Sequence, residues 1–312
     1  MVRALASSRY FEGARTTVAG AIPAISMPMH LSLDALCSVV AAEGSGKSAF
    51  VKTYRAGALD PFTFDGAAEA AVRAGVLGIA PRLLEVDAAQ ATMLFEPAPP
   101  DYKMALARDA QQPDARAAIL RAKKAWHDQP PLSRDLSPFD LATDYAVRLE
   151  PQLGTAIPYK GSVPFASLKD WVDRIGAVLA AAGTDRGPVH GENTVSNILL
   201  GLDKTVLLVD FDRAANADPF YDLGALSLDL CRTDDERNGM IEMYCGRTSA
   251  DVLARVKLYA IVDDFLWGCW ALLAELNPAM KGPELLKYAS NRFLRASHHL
   301  EVFQASQLLA RV

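Results

Sequence analysis

Cysteine is scarce in this sequence, and the few cysteines present do not form a recognisable site. There are 4 cysteines among 312 residues, and none has the C-x-x-C spacing of common zinc and redox motifs. The histidines form no spaced set either, so they do not suggest a metal site. A disulfide-stapled secreted domain is therefore excluded, and we expect buried free thiols.

Long apolar runs and basic tracts are also absent. The longest approach to an apolar run, residues 260–276, is interrupted by Asp263, Asp264 and Glu275, so no membrane-spanning helix is expected. The N-terminus, MVRALASSRYFEG, lacks the continuous apolar segment of a signal peptide. The formal net charge is −5 and no basic tract stands out. We expect a cytoplasmic protein with no membrane or nucleic-acid partner.

The pattern of apolar residues divides the chain into two unequal parts. Residues 1–97 contain short strand patterns and one helix that Asp65 would cap. A proline cluster at residues 97–100 breaks regular structure. Residues 98–312 are dominated by long helical patterns, with one loop-and-strand insert at residues 189–214. The sequence therefore predicts an α+β fold with a small mixed part and a larger, mostly helical part.

The segment GSGKS at residues 44–48 looks like the end of a phosphate-binding P-loop. That motif requires G-x-x-x-x-G-K-[ST] followed by a helix. The position five before Gly46 is Ala41, and residues 49–54 have a strand pattern. We therefore predict a hairpin turn between two strands, which makes Lys52, inside the second strand, the more interesting lysine.

The strongest chemical signal lies in the insert. Glu192, in the sequence His190-Gly191-Glu192, is followed by Asn197 and then by Asp210 behind a Val-Leu-Leu-Val strand. This order resembles the kinase pattern H-R-D-x-x-x-x-N followed by D-F-G. In that chemistry the first acid accepts the proton of the acceptor hydroxyl, and the Asn and second Asp hold Mg²⁺. The pattern assigns Glu192, Asn197 and Asp210 as catalytic, and the last two as metal ligands.

The stretch VHGENTVSNILLGLDKTVLLVDFDRAANADPFYDLGALS resembles the catalytic core of the choline/ethanolamine kinase and aminoglycoside phosphotransferase superfamily. LSPFDLATDYAVRL and DDFLWGCWALLAEL are similar to segments of its choline-kinase-like subgroup. The resemblance covers about residues 45–300. It implies a protein-kinase-like two-lobe fold: a small N-terminal nucleotide-binding lobe, residues 1–97, with an antiparallel sheet and one helix, and a larger, mostly helical catalytic and substrate-binding lobe, residues 98–312.

The same resemblance implies ATP and Mg²⁺ as cofactors and assigns the nucleotide site. Lys52 would contact the α- and β-phosphates, with Glu69 on the helix as its partner. Phe95 and Glu96 would belong to the strand that binds the adenine edge. From the residues alone, Lys52 is equally well an edge-strand lysine and Glu69 a solvated helix residue.

Two residues near the catalytic loop have supporting roles by resemblance. Asp222 would be buried and would accept hydrogen bonds from the backbone of that loop, without taking part in chemistry. His190 would orient the loop rather than act as a base. Both are therefore expected to affect folding and geometry.

Two departures from the family pattern leave the activity open. Glu192 stands where the family has Asp, which moves the carboxylate by ~1.5 Å, and shifts of about 1 Å can cost roughly 100-fold in rate. Residues 24–32, where a loop should cover the phosphates, contain no glycine. The alternatives are an ATP- and Mg-dependent kinase for a small-molecule alcohol, with a choline-like amino alcohol as the leading acceptor, and a non-catalytic pseudokinase that binds ligands or regulates.

A cationic acceptor would require carboxylates and aromatic faces. Asp264, Trp267 and Trp270 follow one another at helical spacing and are the candidate substrate residues. An equally good interpretation is that both tryptophans belong to the core.

Overall fold

A computed structural model of the chain describes residues 5, 8–22, 33–58, 61–158, 164–192, 194–280 and 284–312. Its first part is a five-stranded antiparallel sheet with one long helix, and the remainder is mostly helical. The predicted fold class is confirmed. No helix in these ranges is long and apolar enough to cross a membrane.

The N-terminal sheet has the strand order β1-β2-β3-β5-β4. Its alternating small and apolar side chains pack on one face against helix α1, because Ala35, Ala67 and Met93 share one buried cluster. The elements of this lobe are β1 (Thr16–Ile22), β2 (Ala35–Ala42), β3 (Ser48–Tyr54), α1 (Phe64–Val76), β4 (Leu83–Asp87) and β5 (Thr92–Phe95).

Helix α1 begins earlier than the sequence suggested. The N-cap is Thr63, whose Oγ1 accepts a hydrogen bond from the backbone N–H of Gly66 at 3.2 Å. Asp65 lies inside the first turn, so the prediction that it caps the helix is wrong. Its negative charge there interacts favourably with the positive end of the helix dipole.

The GSGKS segment is the turn of the β2–β3 hairpin, as predicted. Strands β2 and β3 pair in antiparallel register from Ala35 with Tyr54 to Ala41 with Ser48. Gly44 and Gly46 both have positive φ, at 76° and 68°, a conformation that glycine adopts without steric cost. No helix follows Lys47, so the segment lacks the geometry of a P-loop.

The C-terminal lobe is built around one long helix, α8. Its sequence is apolar on all sides, and it is accordingly buried by neighbouring helices over most of its length. Two small sheets, in the orders β6-β8-β9 and β10-β7, carry the insert. The elements are β6 (Lys103–Met104), α2 (Ala107–Ala110), α3 (Pro113–His127), α4 (Pro138–Leu149), α5 (Phe165–Ala182), β7 (Gly187–Val189), β8 (Ile198–Leu200), β9 (Val206–Leu208), β10 (Ala215–Ala217), α6 (Pro219–Leu230), α7 (Asp234–Cys245), α8 (Ala250–Leu276), α9 (Leu285–Val302) and α10 (Ala305–Leu309).

Candidate active site

The two lobes enclose a cavity of about 380 Å³ at the end of the sheet, within the size range of small-molecule sites. Its walls are mainly apolar and include Pro81, Met104 and Leu208. Five residues singled out from the sequence line it together: Lys52, Phe95, Glu96, Asn197 and Asp210. The structure thus brings strand β3, strand β5 and the insert to a single cleft.

Lys52 lies on β3 and points at two carboxylates of the insert. Its Nζ contacts Asp210 Oδ1 and lies 2.5 Å from Asp212 Oδ2. The Tyr54 hydroxyl donates to Asp212 Oδ1 at 2.6 Å. Lys52 and Tyr54 are two residues apart on a strand, so both side chains reach the same face of the sheet.

The predicted pairing of Lys52 with Glu69 is not found. The carboxylate of Glu69 accepts hydrogen bonds from Ser133 N at 3.2 Å and from Ser133 Oγ at 2.5 Å, and Arg73 Nη1 lies 3.3 Å from it. Glu69 therefore fixes helix α1 to the segment before α4, and Asp212 takes the place that the resemblance gave to Glu69.

Electrostatics differ sharply between the two carboxylates around Lys52. Burial alone would raise the pKa of Asp210, but the charge and hydrogen bond of Lys52 outweigh it and hold the pKa at about 2. Burial and then the charge of Asp210 raise the pKa of Asp212 well above its ordinary value. The cluster therefore stabilises a negative charge on Asp210, beside the cleft.

Asp210 and Asn197 supply the ligands that Mg²⁺ prefers. Asp210 adopts a left-handed conformation with φ of 71° directly after β9, and aspartate tolerates this better than most residues. The backbone N–H of Val209 donates to Asn197 O at 2.9 Å, which ties the two segments together. No group of three His, Cys, Asp or Glu side chains in the described ranges could hold a metal alone. Hard oxygens from these two residues fit Mg²⁺ when nucleotide phosphates complete the ligand set.

The loop that carries Glu192 is held from beneath by Asp222. This carboxylate is 0% exposed and accepts hydrogen bonds from His190 N at 2.8 Å and Gly191 N at 3.1 Å. Burial would raise its pKa, but Lys123 and His127 outweigh burial and keep the pKa well below the usual range. The predicted bracing role of Asp222 is confirmed.

His190 and Gly191 shape the same loop. The ring of His190 donates from Nε2 to Val209 O at 2.9 Å, and burial followed by the charge of Lys123 lowers its pKa to about 3. His190 is thus neutral and orients the loop, as predicted. Gly191 has φ of 81°, and a Cβ there would lie 2.3 Å from Arg213 O, so only glycine fits.

Glu192 directly follows Gly191 in this loop. It is 6% exposed, and its Oε2 is 3.7 Å from Arg213 Nε. Asn197 Nδ2 donates to the backbone oxygen of Glu192 at 3.4 Å. Burial and then the charge of Asp210 raise the pKa of Glu192 well above its ordinary value, with Arg213 opposing them. A carboxyl with a raised pKa can both accept and return a proton.

A second, small pocket adjoins Glu192 and contains the predicted tryptophans. Trp267 and Trp270 meet edge to face with centroids 5.1 Å apart. The pocket, which we call the acceptor pocket, is lined in part by Phe62, Tyr145, Gly191, Arg213, Trp267 and Trp270. The tryptophans are buried and also line a pocket, so their assignment as substrate residues stays a prediction.

Asp264 is not part of this pocket. It is completely buried between α8 and α9, where Arg292 Nη1 donates to it at 2.8 Å and Arg295 Nε at 2.8 Å. Its carboxylate is thus already neutralised, so the prediction that Asp264 binds the substrate is wrong. Helical spacing placed it near Trp267, but it points towards α9.

The family of the chain follows from its sequence over this whole region. The model of the phosphotransferase enzyme family matches residues 34–259, which include both Lys52 and the insert. The chain belongs to the phosphotransferase enzyme family. The resemblance noted from the motifs is therefore confirmed. No curated protein sequence matches the chain at a significant level.

Solved structures similar to this phosphotransferase include a choline/ethanolamine kinase family protein and a choline kinase. A choline/ethanolamine kinase family protein from Mesorhizobium loti has a TM-score of 0.79 at 19% identity, covering 99% of this chain and 96% of that one. The choline kinase LicA from Streptococcus pneumoniae has a TM-score of 0.73 at 19% identity, covering 91% and 95%. LicA in complex with AMP has a TM-score of 0.70 at 19% identity, covering 91% of this chain and 92% of that one. At these identities the likeness establishes the fold.

The sequence-based assignment did not include several residues that build the candidate site. Asp212 stands in the same D-F-D as Asp210, and Tyr54 shares the strand face of Lys52, so motif and periodicity contained signals for both. Lys123 and His127 are four residues apart on α3, which places them on one helix face. Arg213 follows the motif directly, but nothing in the sequence shows that it meets tryptophans more than fifty residues later.

Proposed function

We propose that this phosphotransferase transfers the γ-phosphoryl group of ATP to the hydroxyl of a small-molecule alcohol, with Mg²⁺ as cofactor. The observation that carries the proposal is the convergence of Lys52, Asn197 and Asp210 in one cleft. Glu192 contacts Asn197 of this cleft and Arg213 of the acceptor pocket. Phosphoryl transfer depends on positioning and charge stabilisation rather than on covalent chemistry. A cleft of this composition supplies both.

The nucleotide end is assigned from the cavity lining. The ammonium group of Lys52 would bind the phosphates, and Phe95 and Glu96 line the wall where the adenine would lie. Asn197 and Asp210 would hold Mg²⁺, which would neutralise negative charge on the phosphates. The AMP complex of LicA supports a nucleotide in this fold.

Glu192 is proposed to position the acceptor hydroxyl and accept its proton. Its carboxyl lies 3.7 Å from Arg213 of the acceptor pocket, and its backbone oxygen accepts a hydrogen bond from Asn197 Nδ2. Because the transition state of phosphoryl transfer is loose, positioning matters more than basicity. The longer side chain is compatible with this role, since Gly191 lets the loop lie directly against the backbone of Arg213.

Two observations bear on the chemical class of the acceptor alcohol. The similar structures include choline kinases, which favours the choline-like amino alcohol expected from the sequence. Against it, the carboxylate assigned to bind a cation, Asp264, is occupied by Arg292 and Arg295. Amino alcohols, neutral alcohols and hydroxy acids therefore all belong in the test.

The test is steady-state phosphoryl transfer from Mg·ATP across such a panel of alcohols, with product identified directly. We expect turnover of at least one alcohol and none without Mg²⁺. The second candidate, a non-catalytic pseudokinase, is favoured by Glu192 and by the closed contact of Lys52 with Asp210. Nucleotide binding with no alcohol phosphorylated would establish that alternative instead.

A further inference from the structure

The acceptor pocket contains a buried cation of the chain itself. Arg213 is 4% exposed, and its Cζ lies 4.9 Å from the ring centroid of Trp267 and 5.4 Å from that of Trp270. Among the described residues that line the pocket, Arg213 is the one that carries a formal charge. An ammonium ligand would therefore meet a like charge where the aromatic faces should stabilise it.

One edge of the Arg213 guanidinium lacks hydrogen-bond partners. Within the described ranges neither Nε nor Nη2 makes a hydrogen bond, and Glu192 Oε2, at 3.7 Å from Nε, is too far for one. Buried donors left without partners are destabilising, because the water they lose is not replaced. Nε and Nη2 together form the fork that matches a carboxylate or phosphate bidentately.

A second guanidinium strengthens the positive field at this pocket. Arg134 Cζ lies 4.4 Å from the ring centroid of Phe62, and Arg213 Cζ lies 5.1 Å from the same centroid. Arg134 Nη1 donates to Pro61 O at 3.0 Å, but its Nε has no partner in the described part of the chain. Two cations beside one ring repel each other, and an anion between or beside them would reduce that repulsion.

We propose that Arg213 selects an acceptor alcohol that carries an anionic group, either a carboxylate or a phosphate, by binding that group along its Nε–Nη2 edge. This inference rests on the proposed function for the transfer reaction. Because Nε is 3.7 Å from Glu192 Oε2, the anionic group and the reacting hydroxyl can be only a few bonds apart. A short hydroxy acid or a short phosphorylated polyol meets this requirement.

The test uses acceptors of matched size that differ in charge. The three-carbon set is glycerol, glycerate and glycerol 3-phosphate, and choline and ethanolamine represent cations. For the wild type we expect kcat/KM for an anionic acceptor to exceed that for glycerol by about 10-fold or more, as for one charge-assisted contact. Because Arg213 also lies beside Glu192, Arg213→Gln can change turnover of every acceptor; the expected result is that the ratio of kcat/KM for the anionic acceptor to kcat/KM for glycerol falls by about 10-fold or more. Glycerate against glycerol 3-phosphate distinguishes carboxylate from phosphate.

Two further variants separate recognition from structure. Arg213→Lys keeps the charge but not the fork, so it should recover part of the anionic preference that Arg213→Gln loses. Arg174 stacks on Trp171 at 4.1 Å from the ring centroid, and it is exposed and outside the pocket. Arg174→Gln therefore removes the same charge from a similar stack and should leave the preference unchanged. Mg·ATP affinity checks that each variant is folded, and if Arg213→Gln fails this check the Arg213→Lys comparison decides.

Binding measured without turnover distinguishes failure of the inference from failure of the proposed function. Calorimetry in saturating Mg·ADP, which fills the nucleotide cleft, should show glycerate or glycerol 3-phosphate binding to wild type and not to Arg213→Gln. If that holds while no alcohol is phosphorylated, the inference stands and the proposed function fails. If choline or ethanolamine is the better substrate, or if glycerol and the anions are used equally, the inference is overturned while the kinase activity remains.

Discussion

The two ends of the active site both contain buried charge, but they treat it differently. At the phosphate end, Lys52 is in contact with Asp210 and Asp212, and Tyr54 completes the cluster. At the acceptor end, Arg213 lies among aromatic rings with two N–H groups that lack partners. The phosphate end is thus organised without a ligand, whereas at the acceptor end two donors of Arg213 are left for the anionic group that we propose it binds.

This difference follows from what each end must do. Every phosphoryl transfer from ATP presents the same phosphates, so a fixed set of cation, metal ligands and base can be held in place permanently. Acceptors vary, and their recognition depends on which buried polar groups are left to be satisfied by the right ligand. If the two ends act separately, a substitution at the acceptor end should leave nucleotide binding unchanged.

The largest effect is expected at the phosphate end. Asp210→Ala removes the carboxylate whose pKa is held at about 2 and leaves Lys52 with Asp212 alone. We expect Mg²⁺-dependent nucleotide binding to be abolished and turnover to fall by about 1,000-fold or more, since a metal ligand is lost. Calorimetry measures the affinity for Mg·ATP, and circular dichroism checks that the variant is folded.

Asp203→Ala is the matched control for that experiment. Asp203 is an exposed residue of the loop before β9, where it accepts a hydrogen bond from Thr205 N at 3.0 Å. The Asp203→Ala variant should bind Mg·ATP with the same affinity as the wild type. Unchanged Mg·ATP affinity in Asp210→Ala would contradict the assignment of the metal site.

The next largest effect is expected at the junction of the two ends. Glu192→Gln keeps the size of the side chain but removes proton acceptance, so turnover should fall by roughly 100-fold. Nucleotide affinity should stay within a few-fold, because Glu192 acts on the acceptor. Glu192→Asp should remain active. Single-turnover kinetics with a good acceptor, alongside Mg·ATP binding, provide the two readouts.

Glu242→Gln, on the exposed face of α7, is the neutral control for Glu192→Gln. If Glu192→Gln weakens nucleotide binding as strongly as turnover, then Glu192 belongs to the phosphate end. The proposed division of the site at this residue would then be wrong.

A smaller effect, on stability, is expected beneath the catalytic loop. Asp222→Ala leaves the N–H groups of His190 and Gly191 without an acceptor, which costs about 1–3 kcal/mol for a buried group. The melting temperature should therefore fall clearly at neutral pH. Asp222→Asn, which retains one acceptor oxygen, should lose less. A stable Asp222→Ala variant that has lost activity would show that Asp222 acts in chemistry instead.

The phosphate end could be predicted from the sequence much better than the acceptor end. Glu192, Asn197 and Asp210 lie within nineteen residues of one another, so their spacing alone predicted that they belong to one site. Lys52 required the strand pattern and the family resemblance. Its partner was assigned wrongly because Glu69 and Asp212 are both acids in suitable positions, and only the packing of α1 decides between them.

The acceptor end could not be assembled from the sequence because its parts are distant along the chain. Phe62, Tyr145, Arg213 and Trp267 come from four separate segments and meet only after the helices have packed. Helical periodicity selected Asp264 correctly as a neighbour of Trp267 but could not show that Arg292 and Arg295, on the next helix, neutralise it. Helices α6 and α7 were also not predicted as separate elements.

The smallest effect is expected from the titration of Asp263, on helix α8. Asp263 lies beside Asp264 and 3.5 Å from Arg292, and burial raises its pKa to about 7 despite that arginine. Because the folded-state pKa lies above the unfolded value, the folded protein binds this proton more tightly. The contribution of Asp263 to the free energy of unfolding is therefore fully present below about pH 4 and decreases as the pH rises to about 7.

Asp263→Asn removes this one contribution, while the contributions of the other acids remain. The difference in melting temperature between wild type and Asp263→Asn should thus change steadily across that range in favour of the variant. A constant difference from pH 4 to 8 would mean that burial does not raise the pKa of Asp263 in the folded protein.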